Sequence, residues 1–426
     1  MARPSRIHVR MYQVGFGDCF LVSFHYRRPL DDGRAERHIL FDFGSTRAPG
    51  RRRLLPGVAQ LLERHTNGRL DVLVATHRHK DHLDGFGLPE TAAVIDRLDP
   101  GLVVRPWTDD PKLPADARAP AVRSGSQRLA AALAAGQELA GLAVSLAGAA
   151  ADRSLRGELA ALASDQLPNT DALANLERWG KGGKGVYVAA GGDSRIEELV
   201  PGIRARVLGP PTVEQVPELA RQRAADPEYW LAQLAQLEGS RPVGRRRGPR
   251  TLPPGPVAWL VERLERQQLA SLLRIVRTVD DALNNTSVIL LLDAGDKRLL
   301  FPGDAQVENW SWALRGSPES PSLRRLLGRV DLYKVGHHGS RNATPRSLFR
   351  LWGDEPSDER PLAALMSTLS GVHGRTEATR VPRRTLIAAL RRRTSGGLWT
   401  TDGLAPEQPF VELAAPARGR APFAPV

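Results

Sequence analysis

The stretch LDVLVATHRHKDH, residues 70–82, decides how the rest of the chain is read. Residues 70–75 form a nearly unbroken apolar run, which predicts a central strand covered on both faces. Directly after it stand His77, His79, Asp81 and His82. Side chains alternate along extended backbone, so His77 and His79 project to the same side. Two neutral imidazoles there suit a borderline-soft divalent ion. Asp81 and His82 follow as the chain turns toward Leu83-Asp84-Gly85-Phe86-Gly87, where they can serve an adjacent second ion. Layered α/β proteins place their ligand sites at the C-terminal ends of strands, where this cluster falls. The competing reading is an exposed polar loop, which leaves so dense a group of ligand types unexplained.

Outward from this stretch, hydrophobic patterning predicts strands over residues 6–14, 19–26, 38–43, 101–107, 203–208, 287–293, 297–301 and 330–335, with a further one near 364–367. Helical spacing marks a segment ending at His65, then residues 345–352 and 383–393. It also marks two longer regions: 126–165, with Leu129, Leu133, Leu142 and Leu146 in register, and 212–279. Strands first, helices interleaved and strands again indicate a layered α/β protein. The expected organisation is a core half at 1–107, a helical insertion at 108–186 and core strands at 187–211. A second helical insertion with a basic loop follows at 212–283, then the other core half at 284–403. Residues 404–426 read as a Pro/Ala-rich tail with little to pack.

Two later strand ends carry chemistry-bearing residues: Phe301-Pro302-Gly303-Asp304 and Val335-Gly336-His337-His338-Gly339-Ser340. Each is weak alone, and their order behind the histidine cluster raises both. With these motifs in place, the sequence resembles the metallo-β-lactamase superfamily. The resemblance implies an αββα sandwich, here with two helical insertions, holding one or two divalent metal ions at the edge of its sheets. It carries over the early aspartate to Asp42, the HxHxDH signature to His77, His79, Asp81 and His82, the bridging aspartate to Asp304 and the late histidine to His337. More narrowly, Val14 to Asp18 (VGFGD), Asn284 to Ser287 (NNTS), FPGD, HHGS and Trp399 to Gly403 (WTTDG) are similar to the competence-type nuclease branch found in DNA-uptake proteins.

On that likeness, His77 and His79 hold one ion, Asp81, His82 and His337 hold the other, and Asp304 bridges them. Many relatives supply a further histidine between HxHxDH and the bridging aspartate. None occurs here between His82 and His337; Asn284 or Asn285 stands near that place. Asparagine is a poor zinc ligand, so both Zn and Mn remain open. Asp81 could also orient a nucleophilic water, and His373 could act as general acid on a leaving group or be an ordinary loop histidine. Asp42 reads as a residue that orients ligands. Asp18, Asn285, His338, Ser340 and Lys334 are candidates for supporting the ligands or meeting substrate.

The chain of 426 residues carries 60 Lys+Arg against 47 Asp+Glu, a formal charge of +13. Such an excess permits a polyanion, and nucleic acid is the commonest one, although an arginine-rich composition alone also produces it. Arg245, Arg246, Arg247 and Arg250 lie in a Pro/Gly-rich loop suited to phosphate contact, and Arg391 to Arg393 close a helix whose dipole they could cap. The one cysteine, Cys19, excludes an internal disulfide framework. No apolar run approaches the roughly 20 residues of a bilayer span, and no secretory pattern opens the chain, so a cytoplasmic location without membrane contact is expected. The function expected is metal-dependent hydrolysis, foremost as a phosphodiesterase or nuclease on DNA or RNA. The alternatives are a small-molecule ester or phosphodiester hydrolase of the same fold and a non-catalytic metal-binding protein. In either case the helical insertions could dock a protein partner.

Overall fold

A computed structural model describes residues 2–47, 51–110, 169–212, 214–216, 283–340, 344–357, 361–372, 380–405 and 407–426. The expected helical region at 126–165, all but the first few residues of the one expected at 212–279, the basic loop with Arg245, Arg246, Arg247 and Arg250, and His373 lie outside them.

The fold is mixed α/β, with two sheets and helices against the outer face of each. In chain order the first half comprises β1 (Arg6–Tyr12), β2 (Cys19–His25), β3 (Glu36–Phe43), α1 (Arg51–His65), β4 (Val72–Val74), α2 (Lys80–Gly87), α3 (Pro89–Leu98) and β5 (Leu102–Pro106). After residue 168 come α4 (Thr170–Trp179), β6 (Gly185–Val188), α5 (Ile196–Leu199) and β7 (Ile203–Gly209). The second half comprises β8 (Ile289–Ala294), β9 (Lys297–Phe301), α6 (Val307–Ser311), α7 (Ser320–Leu327), β10 (Leu332–Lys334), α8 (Arg346–Phe349) and β11 (Ala363–Met366). It closes with α9 (Arg384–Arg393), β12 (Leu398–Thr400), β13 (Phe410–Pro416) and β14 (Ala424–Pro425).

The first sheet has strand order β14-β13-β1-β2-β3-β4-β5-β6 and the second β12-β11-β10-β9-β8-β7. Each is part antiparallel and part parallel. The parallel runs, β3 to β6 in one and β9 to β12 in the other, put several strand C-termini along one edge of each sheet.

Period-two alternation explains the layering. In β2, Phe20, Val22 and Phe24 enter a core shared by both sheets, while Cys19 and Leu21 face the helices of the first sheet. Ile39 and Phe41 of β3 behave like the former, Leu40 and Phe43 like the latter. The two sheets meet at Phe41 and Phe301, whose rings stack at 4.1 Å. Each such side chain contributes about 1.5–3 kcal/mol through burial. A second helix-side core gathers Trp310, Leu323, Leu327, Leu348 and Leu390 against Leu291, Leu300 and Tyr333.

Two segments differ from the sequence expectation. Within the range expected as the first insertion, α4 caps α2 through an Asn175–Phe86 carbonyl hydrogen bond of 2.8 Å, and β6 extends the first sheet beside β5. The tail is the larger correction. Strand β13 pairs with all of β1, from Arg6 opposite Pro416 to Tyr12 opposite Phe410, and buries Val411, Leu413 and Ala415, with Ala417 buried just beyond it. Its inward face is partly alanine, so its alternation carries little hydrophobic signal. No helix among the described residues is long and apolar enough to cross a membrane.

Candidate metal centre

The residues singled out in the sequence come together where the parallel strands of both sheets end. Asp42 closes β3, His77 follows β4, Asp304 follows β9, and Lys334 ends β10 just before His337 and His338. The HxHxDH segment straddles a strand end and a helix start: His79 is the extended N-cap of α2, and Asp81 and His82 lie in its first turn. Close backbone approach holds this turn in place. Asp18 N–H donates to the Asp81 carbonyl at 3.0 Å. A side chain at Gly17, where φ is 156°, would put its Cβ 2.6 Å from the Asp81 carbonyl oxygen.

Asp81, His82, Asp304 and His338 are buried, and each offers a ligand atom within 4.8 Å of all the others. Asp18, Asp42 and His82 form an adjoining group of the same kind. His82 gives its Nδ1–H to Asp42 at 2.8 Å, which leaves Nε2 facing Asp304 Oδ2 at 3.2 Å. His338 gives its Nδ1–H to the Ser367 carbonyl at 3.0 Å, which leaves Nε2 facing Asp81 Oδ2 at 2.8 Å and Asp304 Oδ2 at 3.7 Å. In both rings the second nitrogen is a lone pair aimed at a carboxylate oxygen unless a proton or another cation stands between them. This donor set fits a divalent ion.

The charge balance points the same way. Four buried carboxylates, Asp18, Asp42, Asp81 and Asp304, gather here, and the Lys334 ammonium pairs with Asp18 and Asp304. Burial disfavours the imidazolium of His82, but Asp304, Asp42, Asp81 and Asp18 outweigh it and hold its pKa well above the ordinary value. His338 is raised likewise, by Asp304, Asp18 and Asp81 against its burial. Burial pushes the Asp304 carboxyl up, yet His82, Lys334 and His338 outweigh it and hold it far down. For Asp18 burial wins over Lys334, and its pKa is raised. His77 is driven well down, by burial first and then by His82 and His79, so it is a neutral ring.

His77 and His79 lie side by side, Nε2 to Nδ1 at 3.0 Å. Thr76 Oγ1 sits 3.1 Å from His77 Nδ1 and donates to Asp42 Oδ2 at 2.7 Å, while Thr76 N–H donates to Asp42 Oδ1. Asp42 thus holds both the strand end and His82. Asn284 is fully buried beside His79. Asn285 turns away: its amide donates to Glu308 at 3.1 Å and its oxygen accepts from Asn309 N–H at 3.3 Å.

The geometry distinguishes the paired histidines. His338, expected only as a supporting residue, enters the ligand group, whereas His337 contributes its backbone N–H to Asp304 Oδ1 at 2.9 Å. Both residues have left-handed backbone, φ 43° and 51°, which reverses the direction that simple alternation assigns. Lys334 is buried and pairs with Asp18 and with Asp304 Oδ1 at 3.3 Å, so it faces the carboxylates rather than solvent. Ser340 is buried beside the loop, and its hydroxyl has no hydrogen-bond partner among the described residues. Phe16 packs on the His338 ring at 4.3 Å, a contact with no sequence signal beyond its place in VGFGD.

The motif's central Arg78 points outward from this group, to Asp109 at 2.6 Å, and Arg105 meets the same carboxylate at 3.0 Å. Among known proteins, the chain matches no family model. It is similar to Recombination protein 2 of Haemophilus influenzae, 29% identical over 109 residues, which is 26% of this chain and 11% of that protein.

Proposed function

We propose that the protein is a metal-dependent hydrolase of the metallo-β-lactamase fold, a phosphodiesterase or nuclease acting on DNA or RNA. The observation that carries this reading is the convergence of Asp81, His82, Asp304 and His338 with both histidine Nε2 atoms facing carboxylate oxygens. Two sheets with helices outside them, and a site at their strand ends, are what the sequence resemblance implies. The partial likeness to a protein named for recombination supports DNA as the substrate class.

Asp81, His82, Asp304 and His338 would hold one ion, Zn or Mn, and His77 with His79 would serve a second beside it. When bound, such ions activate water and neutralise charge developing on phosphate oxygens. The chain's own residues prepare that place. Asp42 and the Ser367 carbonyl fix the two rings so that Nε2 of each faces inward. Lys334 and the His337 N–H engage Asp304 Oδ1, which leaves Oδ2 toward the imidazoles. The buried walls exclude bulk water and so strengthen each of these contacts.

Purified protein should retain one to two equivalents of divalent metal by elemental analysis and cleave single- or double-stranded DNA or RNA with Mn²⁺ or Zn²⁺. Loss of neither metal nor cleavage in Asp304→Ala would overturn the reading.

A further inference from the structure

The arginines are unevenly spread over the two helical faces. On the face covering the first sheet, several cations are neutralised in place: Arg97 on Glu63 at 2.8 Å, Arg178 on Asp96 at 2.7 Å and Lys184 on Asp99 at 2.7 Å. Helices α7, α8 and α9, with the turns that close them, cover the second sheet. Residues 315–329, 344–357 and 380–395 hold twelve arginines against three carboxylates, an excess of nine, whereas the whole chain has an excess of 13. Arg324, Arg325, Arg329, Arg346, Arg350 and Arg391 are all exposed. None of these six has an ion-pair partner among the described residues; nearby, Arg392 meets Glu355 at 3.9 Å.

Three hydrogen-bonded ends gather these charges into one surface. Trp352, just past α8, donates from its indole to the Leu327 carbonyl at the end of α7, at 2.8 Å. Arg393, at the end of α9, donates to the Trp352 carbonyl, also at 2.8 Å. The C-termini of all three helices therefore meet around Trp352. The other end of α9 reaches the candidate metal centre, where Arg383 N–H donates to the Gly339 carbonyl at 2.9 Å. Ten helical residues span about 15 Å, so the basic cluster begins at the loop carrying His338 and ends well away from it. Helix dipoles account for only about half a unit of negative charge per C-terminus, far less than an excess of nine.

We infer that this helical face is an exosite that docks the phosphate backbone of nucleic acid while a distant part of the same strand occupies the metal centre. The inference rests on the nucleic-acid reading above. A duplex presents one negative charge per about 1.7 Å of its axis, a density that matches clustered, unpaired arginines and that no isolated acidic ligand offers. Guanidinium groups suit this partner because their fork meets phosphate in a bidentate way.

The test separates docking from chemistry. Binding of a labelled DNA duplex is measured in EDTA, without divalent metal, from 50 to 200 mM salt, for the full chain and for Arg324→Gln/Arg325→Gln/Arg350→Gln/Arg391→Gln. A second variant, Arg178→Gln/Lys184→Gln, controls for general loss of charge. Four phosphate contacts correspond to a slope change of about 3.6 in log Kd against log salt, or roughly 100-fold in affinity across that range. The quadruple variant should lose that slope, keep its circular dichroism and still hydrolyse a small chromogenic phosphodiester at the unaltered rate. An unchanged slope would overturn the exosite, as would an equal loss in the control variant. Vesicles of anionic lipid are run in parallel; arginine-dependent binding to them, with DNA binding unaffected, would also overturn it. Absence of cleavage with the binding slope intact would instead count against the hydrolase reading alone.

Discussion

Replacing Lys334 by methionine keeps the aliphatic stem and deletes the ammonium that lies between Asp18 and Asp304. All three side chains are 3% exposed or less. Removing one partner of a buried pair strands the other charge, at a cost of about 3–5 kcal/mol. Here two carboxylates lose the ammonium, and Asp18 has no other lysine or arginine beside it among the described residues. Unfolding by urea and by heat, with EDTA present at pH 7, should show a loss of about 4 kcal/mol and a Tm lower by roughly 5 °C. A double-mutant cycle with Asp18→Asn isolates the pair, and its coupling should exceed about 1 kcal/mol. A stability within about 0.5 kcal/mol of wild type, or strictly additive single changes, would refute the account. Weakened substrate binding with unaltered stability would instead favour the sequence expectation of a phosphate-facing lysine.

The other expectations are more compact. His338→Ala should abolish metal retention measured by elemental analysis, whereas His337→Ala should leave it nearly intact, because His337 serves through its backbone. Asp42→Asn should weaken metal affinity about 10–100-fold by isothermal titration, since it loses the acceptor that orients His82. Leu413→Ala in β13 should cost about 2–5 kcal/mol in urea unfolding if the tail is core, and under 0.5 kcal/mol if it is not. His38 is buried, and that burial, with Arg34 nearby, pushes it down to about 3, against about 6.5 in an unfolded chain. The unfolded state therefore takes up a proton first as pH drops. The stability due to neutral His38 is complete above pH 6.5 and falls toward pH 3 by up to about 5 kcal/mol. His38→Gln should flatten the acid limb of the stability curve, read by urea unfolding at several pH values.

Much of the arrangement was legible because it depends on short-range patterns. The nearly unbroken apolar run at residues 70–75 and the alternation in β1 to β3 mark strands that face cores on both sides. HxHxDH, Asp304 and the paired histidines each fall at a strand end, where side chains from different elements can converge. What was not legible depends on local backbone inversion or on distant partners. Two consecutive left-handed residues decide that His338, not His337, meets Asp81, and neither residue type announces that geometry. The pairing of β13 with β1 rests on alanines and on register across the whole chain. Lys334 reads as a cation that could support the ligands or meet substrate, and only the neighbouring strands show it buried against Asp18 and Asp304. The α6 to α7 segment lacks a long apolar period because Trp310 and Leu323 reach the core from separate short turns.

Strand β1 has β13 as one of its two neighbours, and His8 and Glu412, bonded at 2.6 Å, are 404 positions apart in the chain. On the ribosome, at about 5–20 residues per second, that neighbour emerges roughly 20–80 s after β1 itself. Through that interval β1 offers an unpaired strand edge, the kind of surface that pairs with other chains. The nascent protein is therefore exposed to strand-mediated aggregation until its last strands arrive. Production at slower growth, or with holdase chaperones in excess, should raise the yield of folded protein, whereas loss of β13 should send the chain to inclusion bodies.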